Sequence, residues 1–156
     1  EVHSIKVSAR EIDNYRKRAS LNELEAVKIA DLIKRFPNVE EIIIDLPDPN
    51  ADMFINRIKK YVKLDSKVKA EHKADDTYPV VSAASIIAKV ERDRSVRALE
   101  KKYNAELGTG YPHDERSIKY IEKCAKNEEH PPIIRYSWAT AKRIYDRKKQ
   151  SSLADF

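Results

Sequence analysis

Glycine and cysteine are the residues this sequence nearly does without: of 156 residues, two are glycine and one is cysteine. A single cysteine, Cys124, rules out an intrachain disulfide and points to a reducing cytoplasm. With Cys124 alone and His3, His72, His113 and His130 scattered, no zinc-ligand spacing is present. No glycine-rich phosphate loop follows a strand, which leaves a small-molecule α/β enzyme of that kind without support. Long apolar runs are missing too. None approaches the ~20 residues needed to span a bilayer, and the opening EVHSIKVSAR holds nothing like a signal peptide.

Charge is plentiful. Charged residues make up 37% of the chain and the hydrophobic class 41%, the balance of a soluble globular protein. The length suits one domain with a real core. The 31 basic and 26 acidic side chains leave a net +5, compatible with a polyanionic partner and equally with an ordinary solvated surface. Heavy use of Lys, Arg and Glu with one Met is a composition shared with thermophilic proteins.

Along the chain, VHSIKV (2–7) alternates as a strand does, and SARE (8–11) has the Ser and Glu of a capping box. NELE (22–25) opens a firmer helix that stops by Pro37. EEIIIDLPD (40–48) reads as a buried strand ending at Asp45. A helix over 50–62 and a strand over 67–72 follow, which makes a βαβ unit with a parallel sheet. Three more helices are predicted near 80–103, 113–126 and 137–149.

In parallel α/β sheets, chemistry gathers where strands end. Asp45 closes one strand, and Asp75 and Asp76 lie just past the next. Parallel neighbours run ~4.8 Å apart, so carboxylates at the two ends can share a cation, and Mg²⁺ suits a site of one or two carboxylates plus phosphate. Asp is also simply common in turns after strands. The two glycines, Gly108 and Gly110, both precede Tyr111 in GTGYP. Such a loop permits positive φ or close backbone approach and presents an aromatic face to a sugar or base. A helix-to-helix loop with a packing tyrosine fits the same residues. Lys89, Arg92, Arg94, Lys142 and Arg143 are candidates for tracking a phosphate backbone, or are solvated surface charges.

Four stretches taken together resemble type 2 ribonuclease H (ribonuclease HII) in its archaeal form. They are IIIDLPDPN, EHKADDTYPVVSAASIIAKVERDR, GTGYP and PPIIRYSWATAKRI, in the family's order across nearly the whole chain. The resemblance implies an α/β, ribonuclease H-like fold, with a mixed sheet flanked by helices and a helical C-terminal part. It implies a catalytic domain over 1–149, expected to be monomeric, and a tail over 150–156. VVSAASIIA is then expected as a buried helix whose small residues pack on the sheet and fix the aspartate loop before it. Asp45 and Asp75 are implied as catalytic metal ligands for Mg²⁺ or Mn²⁺, with Asp76 the rival if the loop register differs by one. Tyr111, with Gly108, Gly110 and Lys89, is implied in substrate binding, the tyrosine stacking on sugar beside the scissile ribonucleotide. The implied reaction is two-metal-ion hydrolysis of RNA paired to DNA, and of single ribonucleotides in duplex DNA, leaving 5′-phosphate ends.

The sequence departs from the family at its start. The family's Asp-Glu pair and the Gly-Arg-Gly that reads the 2′-hydroxyl have no counterpart here, and Glu1 stands within what looks like the family's third strand. N-terminal strands are therefore expected to be missing, with a gap in the sheet and exposed edges. A part of a longer replication and repair enzyme, inactive alone, is one reading. A non-catalytic fragment that binds hybrid duplex or a clamp is another; its binding would survive loss of Asp45 and Asp75. The final QSSLADF spaces Gln150, Leu153 and Phe156 by three, the period of a 3₁₀ turn. It resembles the box that docks repair proteins on a sliding clamp, and residues 150–156 are expected to order only on binding.

Overall fold

Two five-residue strands, β1 (Glu41–Asp45) and β2 (Lys67–Glu71), pair in parallel with Ile42 opposite Val68 and Ile44 opposite Ala70. Side chains alternate between faces along a strand. The four apolar residues therefore share one face, and Glu41, Ile43, Asp45, Lys67, Lys69 and Glu71 share the other. The apolar face meets Ala26 and Ala30 of α2 (Leu21–Ile33) and Phe54 and Ile58 of α3 (Ala51–Lys59), all four fully buried. Expected as a buried strand, β1 is buried on one face only, because no second layer covers its charged side among the described residues. The computed structural model describes residues 1–154, with side chains through residue 150.

The remaining elements are α1 (Ala9–Arg16), α4 (Ala74–Thr77), α5 (Pro79–Tyr103), α6 (Glu115–Lys126) and α7 (Ala139–Ala154). The chain divides into two compact units. One comprises Glu1–Lys6 and Arg18–Val90, the other Val7–Lys17 and the chain from Glu91 onward, with α5 contributing to both. In the second unit, Ile121 and Cys124 of α6 pack with Ile134 and with Ala141 of α7, ringed by Tyr120, Tyr136, Trp138 and Tyr145. The Asp13 carboxylate of α1 accepts hydrogen bonds from the backbone N–H groups of Tyr136 (2.7 Å) and Ser137 (3.0 Å).

The α/β reading holds, with a parallel βαβ unit among helices, but several local expectations do not. Residues 2–7 form no strand among the described residues. Alternation alone cannot make a strand without a ladder partner, and His3 instead sets its ring edge-on against Phe36 at 5.0 Å. The α1 cap is as read, with Ser8 Oγ accepting from the Glu11 amide. The α2 cap is Ser20, which accepts from Glu23, two residues before the expected Asn22. Asn22 donates instead to Asp48 at 2.8 Å.

The largest correction concerns α5. VVSAASIIA is helical, but only Val81 is buried, while Val80 is 66% and Ile86 58% exposed. The apolar face of the two-strand sheet is already filled by α2 and α3, and the face left open is mostly charged, so no apolar sheet surface is left for this helix. The helix α7 continues through Ala154, so Gln150 lies in α-helix rather than a 3₁₀ turn. The Leu153 side chain and Phe156 lie outside the described residues. No helix among the described residues is long and apolar enough to cross a membrane.

Candidate functional site

Asp45 is the last residue of β1, on the charged face, exposed. Its Oδ1 accepts a hydrogen bond from the Ala74 amide at 3.1 Å. That amide opens α4, the single turn that carries Asp75 and Asp76. The approach depends on Lys73, whose φ of 56° is left-handed and turns the chain sharply out of β2. A side chain pays roughly 1–2 kcal/mol for that conformation. Ala74 is fully buried, and the turn closes through Asp76 N–H to Lys73 O (3.0 Å) and Tyr78 N–H to Ala74 O (2.8 Å). The structure thus brings Asp45 to the Asp75 turn. Asp75 is half-buried and Asp76 exposed.

Sequence reasoning missed Glu71, which ends β2 directly in register with Asp45 and shares its sheet face. The Tyr78 hydroxyl donates to Glu71 Oε1 at 3.0 Å, and this bond, with burial, raises the tyrosine pKa above its ordinary value. Lys69 pairs with Glu41 at 2.9 Å and lies 5.4 Å from the Tyr78 ring. Asp48, three residues past Asp45, is a different kind of carboxylate. It is buried and accepts from Asn22, the Asn50 amide and Arg57, and the Asn22 bond leads in holding its pKa low. Its oxygens serve the fold.

Hard oxygen donors such as Asp45 and Asp75 fit Mg²⁺ or Mn²⁺, which bind through one or two carboxylates and fill the rest with water and phosphate. Among the described residues, no three His, Cys, Asp or Glu side chains gather as a ligand set. The pair therefore fits a single hard cation in kind and falls short of enclosing two.

In the second unit, the GTGYP loop is tied down at nearly every residue. Glu100 Oε1 accepts from the amides of Leu107 (2.8 Å) and Gly108 (3.1 Å), and Ser117 Oγ donates to Leu107 O (2.5 Å). Asp114 caps α6 through the Arg116 amide and accepts from the Thr109 amide and hydroxyl, both at 2.8 Å. Those Thr109 bonds, with Arg116, hold its carboxyl far below the usual carboxylate range. Gly108 has φ 61°, and a Cβ there would stand 2.5 Å from Asp114 Oδ1. Gly110 has φ 67°. Both glycines are spent where the loop needs the left-handed region. Tyr111 is 45% exposed, its ring nearly parallel to that of His113 (8°, centroids 5.8 Å apart).

The basic residues divide. Arg94 pairs with Glu91 at 3.1 Å, and Arg92 donates to Thr109 O at 2.5 Å. Lys89, Lys142 and Arg143 are exposed.

The family model for ribonuclease HII matches residues 1–141. The chain belongs to the ribonuclease HII family. It is 42% identical to the ribonuclease HII of Pyrococcus abyssi over 94% of this chain and 65% of that protein. It is 40% identical to that of Methanoregula boonei over 100% of this chain and 73% of that protein. The crystal structure of ribonuclease H2 from Pyrococcus horikoshii superposes with a TM-score of 0.81 at 40% identity, covering 92% of this chain and 68% of that one. The ribonuclease HII in a PCNA complex from Archaeoglobus fulgidus gives 0.77 at 33% identity, covering 86% and 64%. The chain spans about two thirds of the length of these relatives. Their likeness confirms the ribonuclease H-like fold expected for ribonuclease HII.

Proposed function

We propose that this chain carries part of the catalytic domain of an endonuclease that hydrolyses RNA strands paired to DNA and single ribonucleotides embedded in duplex DNA. The observation that carries the reading is the bond from the Ala74 amide to Asp45, which seats the β1 carboxylate at the turn bearing Asp75 in a ribonuclease HII chain. Asp45 and Asp75 would hold Mg²⁺ or Mn²⁺, which when bound activates water and stabilises the leaving oxygen at the scissile phosphate. Asp45 spends one oxygen on Ala74 and keeps the other for that role. The rigid GTGYP loop offers Tyr111 for stacking on a sugar or base, and exposed Lys89 suits a phosphate contact.

Cleavage by two ions, leaving 5′-phosphate ends, calls for more carboxylates than the pair described. A second reading follows for the 156 residues alone: they bind hybrid duplex without turning it over. The lack of a three-residue ligand set among the described residues favours it. The test is an RNA–DNA hybrid incubated with Mg²⁺ and either the 156-residue chain or an enzyme of the relatives' full length containing it. Nicking by the longer form only is expected. Nicking by the short chain would discard the second reading, and none by either would discard the first.

Clamp docking through Gln150, Leu153 and Phe156 belongs to the same proposal, supported by the clamp-bound relative from Archaeoglobus fulgidus.

A further inference from the structure

Arg92 is a cation for which the sequence suggests a phosphate contact or a solvated surface charge, yet its guanidinium is engaged on the protein itself. From α5 it reaches across to the GTGYP loop. Nη2 donates to Thr109 O at 2.5 Å, Nη1 meets Asp93 at 3.2 Å, and the guanidinium carbon lies 3.9 Å from the centroid of the Tyr111 ring. Gly110 makes room for this approach. A Cβ there would lie 3.3 Å from Arg92 Nη2 and 3.4 Å from Val96 Cγ2. The Gly110 amide in turn donates to Leu107 O at 3.0 Å, so the residue beneath the guanidinium is also fixed. A planar cation held against an aromatic face gains from the ring quadrupole. The fork does this while bonding a carbonyl, which the point charge of lysine cannot imitate.

We propose that Arg92 is a positioning residue for Tyr111. It clamps the Thr109 carbonyl and covers one face of the ring, so that the tyrosine meets a nucleic acid in a single preset orientation. This rests on the reading of the GTGYP loop as a nucleic-acid contact. Arg92 acts through Tyr111 and leaves the phosphates to other cations.

A double-substitution cycle on the 156-residue chain tests it, with binding to a fluorescein-labelled RNA–DNA hybrid followed by anisotropy at several salt concentrations. Tyr111→Ala is expected to weaken binding about tenfold or more, the scale of lost aromatic stacking. Arg92→Gln should cost roughly five- to tenfold, Arg92→Lys should restore little, and neither should cost more once Tyr111 is alanine. The slope of log affinity against log salt should stay unchanged. Additive losses with a slope reduced by about one would make Arg92 a phosphate contact and overturn the proposal.

If the wild-type chain binds no hybrid, the nucleic-acid reading of the loop fails, and a second measurement decides the role of Arg92. Both glycines of the chain lie in this loop, so ¹⁵N-glycine labelling gives two amide signals that report on it alone. Arg92→Gln is expected to shift the Gly110 signal and speed its exchange about tenfold, whereas Arg94→Gln leaves both signals in place. Signals unmoved by Arg92→Gln would overturn the proposal.

Discussion

Replacing Asp13 with alanine removes one side chain that holds two distant parts of the chain together. Its carboxylate accepts from the amides of Tyr136 and Ser137, at 2.7 and 3.0 Å, across more than 120 residues of sequence. A hydrogen bond to a charged group contributes about 1.5–3 kcal/mol net when buried. Asp13 is half-buried, so water re-solvates part of what is lost, and the lower end of that range applies to each bond. The cost of Asp13→Ala is therefore about 2–3 kcal/mol. Asp13→Asn keeps one accepting oxygen but turns an N–H₂ group towards the other amide, so it should recover less than half. Urea unfolding followed by Trp138 fluorescence measures this directly, since Trp138 packs against the same α6–α7 core. A loss below about 0.5 kcal/mol, at an unchanged m-value, would refute the claim that this carboxylate staples α1 to the segment before α7.

In an enzyme of the relatives' full length, Asp45→Asn and Asp75→Asn should each remove nearly all Mg²⁺-dependent cleavage while hybrid binding persists; damage from Asp76→Asn instead would place the ligand one residue on. Burial raises the pKa of Tyr136, Tyr120 and Tyr145 above the ordinary value of 10.0. These groups stabilise the fold fully below pH 10 and lose that contribution as pH rises further, so urea midpoints should fall above pH 10 and less steeply in Tyr136→Phe. Asp114 behaves oppositely: its depressed pKa stabilises the loop above the ordinary 3.8, and that contribution is lost progressively as pH falls below it, so the two ¹⁵N-glycine amides should exchange faster and lose their shift dispersion as acid is added. Leu153→Ala with Phe156→Ala should abolish the heat of clamp binding in calorimetry without slowing cleavage of a short substrate; equal heats from both proteins would end that proposal.

What could be read from the sequence was whatever depends on neighbours within a turn. Ser8 and Glu11 specify their cap unaided. The β-branched residues of β1 likewise mark a strand, and the two glycines mark the positive-φ positions of their loop. Where two local patterns compete, spacing cannot choose between them. SLNE and NELE both fit a helix start, and Ser20 wins because Asn22 is drawn off by Asp48, 26 residues away. The α5 helix was legible, but its burial was not, since apolar composition marks a face without saying whether a layer covers it. Glu71 was overlooked because its pairing with Asp45 exists only in the sheet register. The bond from Arg92 to the loop had no local signal, because the carbonyl it meets is 17 residues on. The left-handed turn at Lys73 has no signal in its residue type, which ordinarily avoids it.

The two-faced strand pair ties the location of Asp45 to the core by parity. Ile42 and Ile44 point inward because Glu41, Ile43 and Asp45 point outward, and the same holds for β2. A shift of one residue in either strand reverses every side chain. Deleting one residue upstream of Asp45 within β1 would therefore drive isoleucines into water or a carboxylate into the core, with no intermediate available. An insertion or deletion that leaves this sheet intact therefore has to fall in a loop and not within β1 or β2. The packing of Ile42 and Ile44 is then sufficient by itself to hold position 45 on the outward face, whatever that position does.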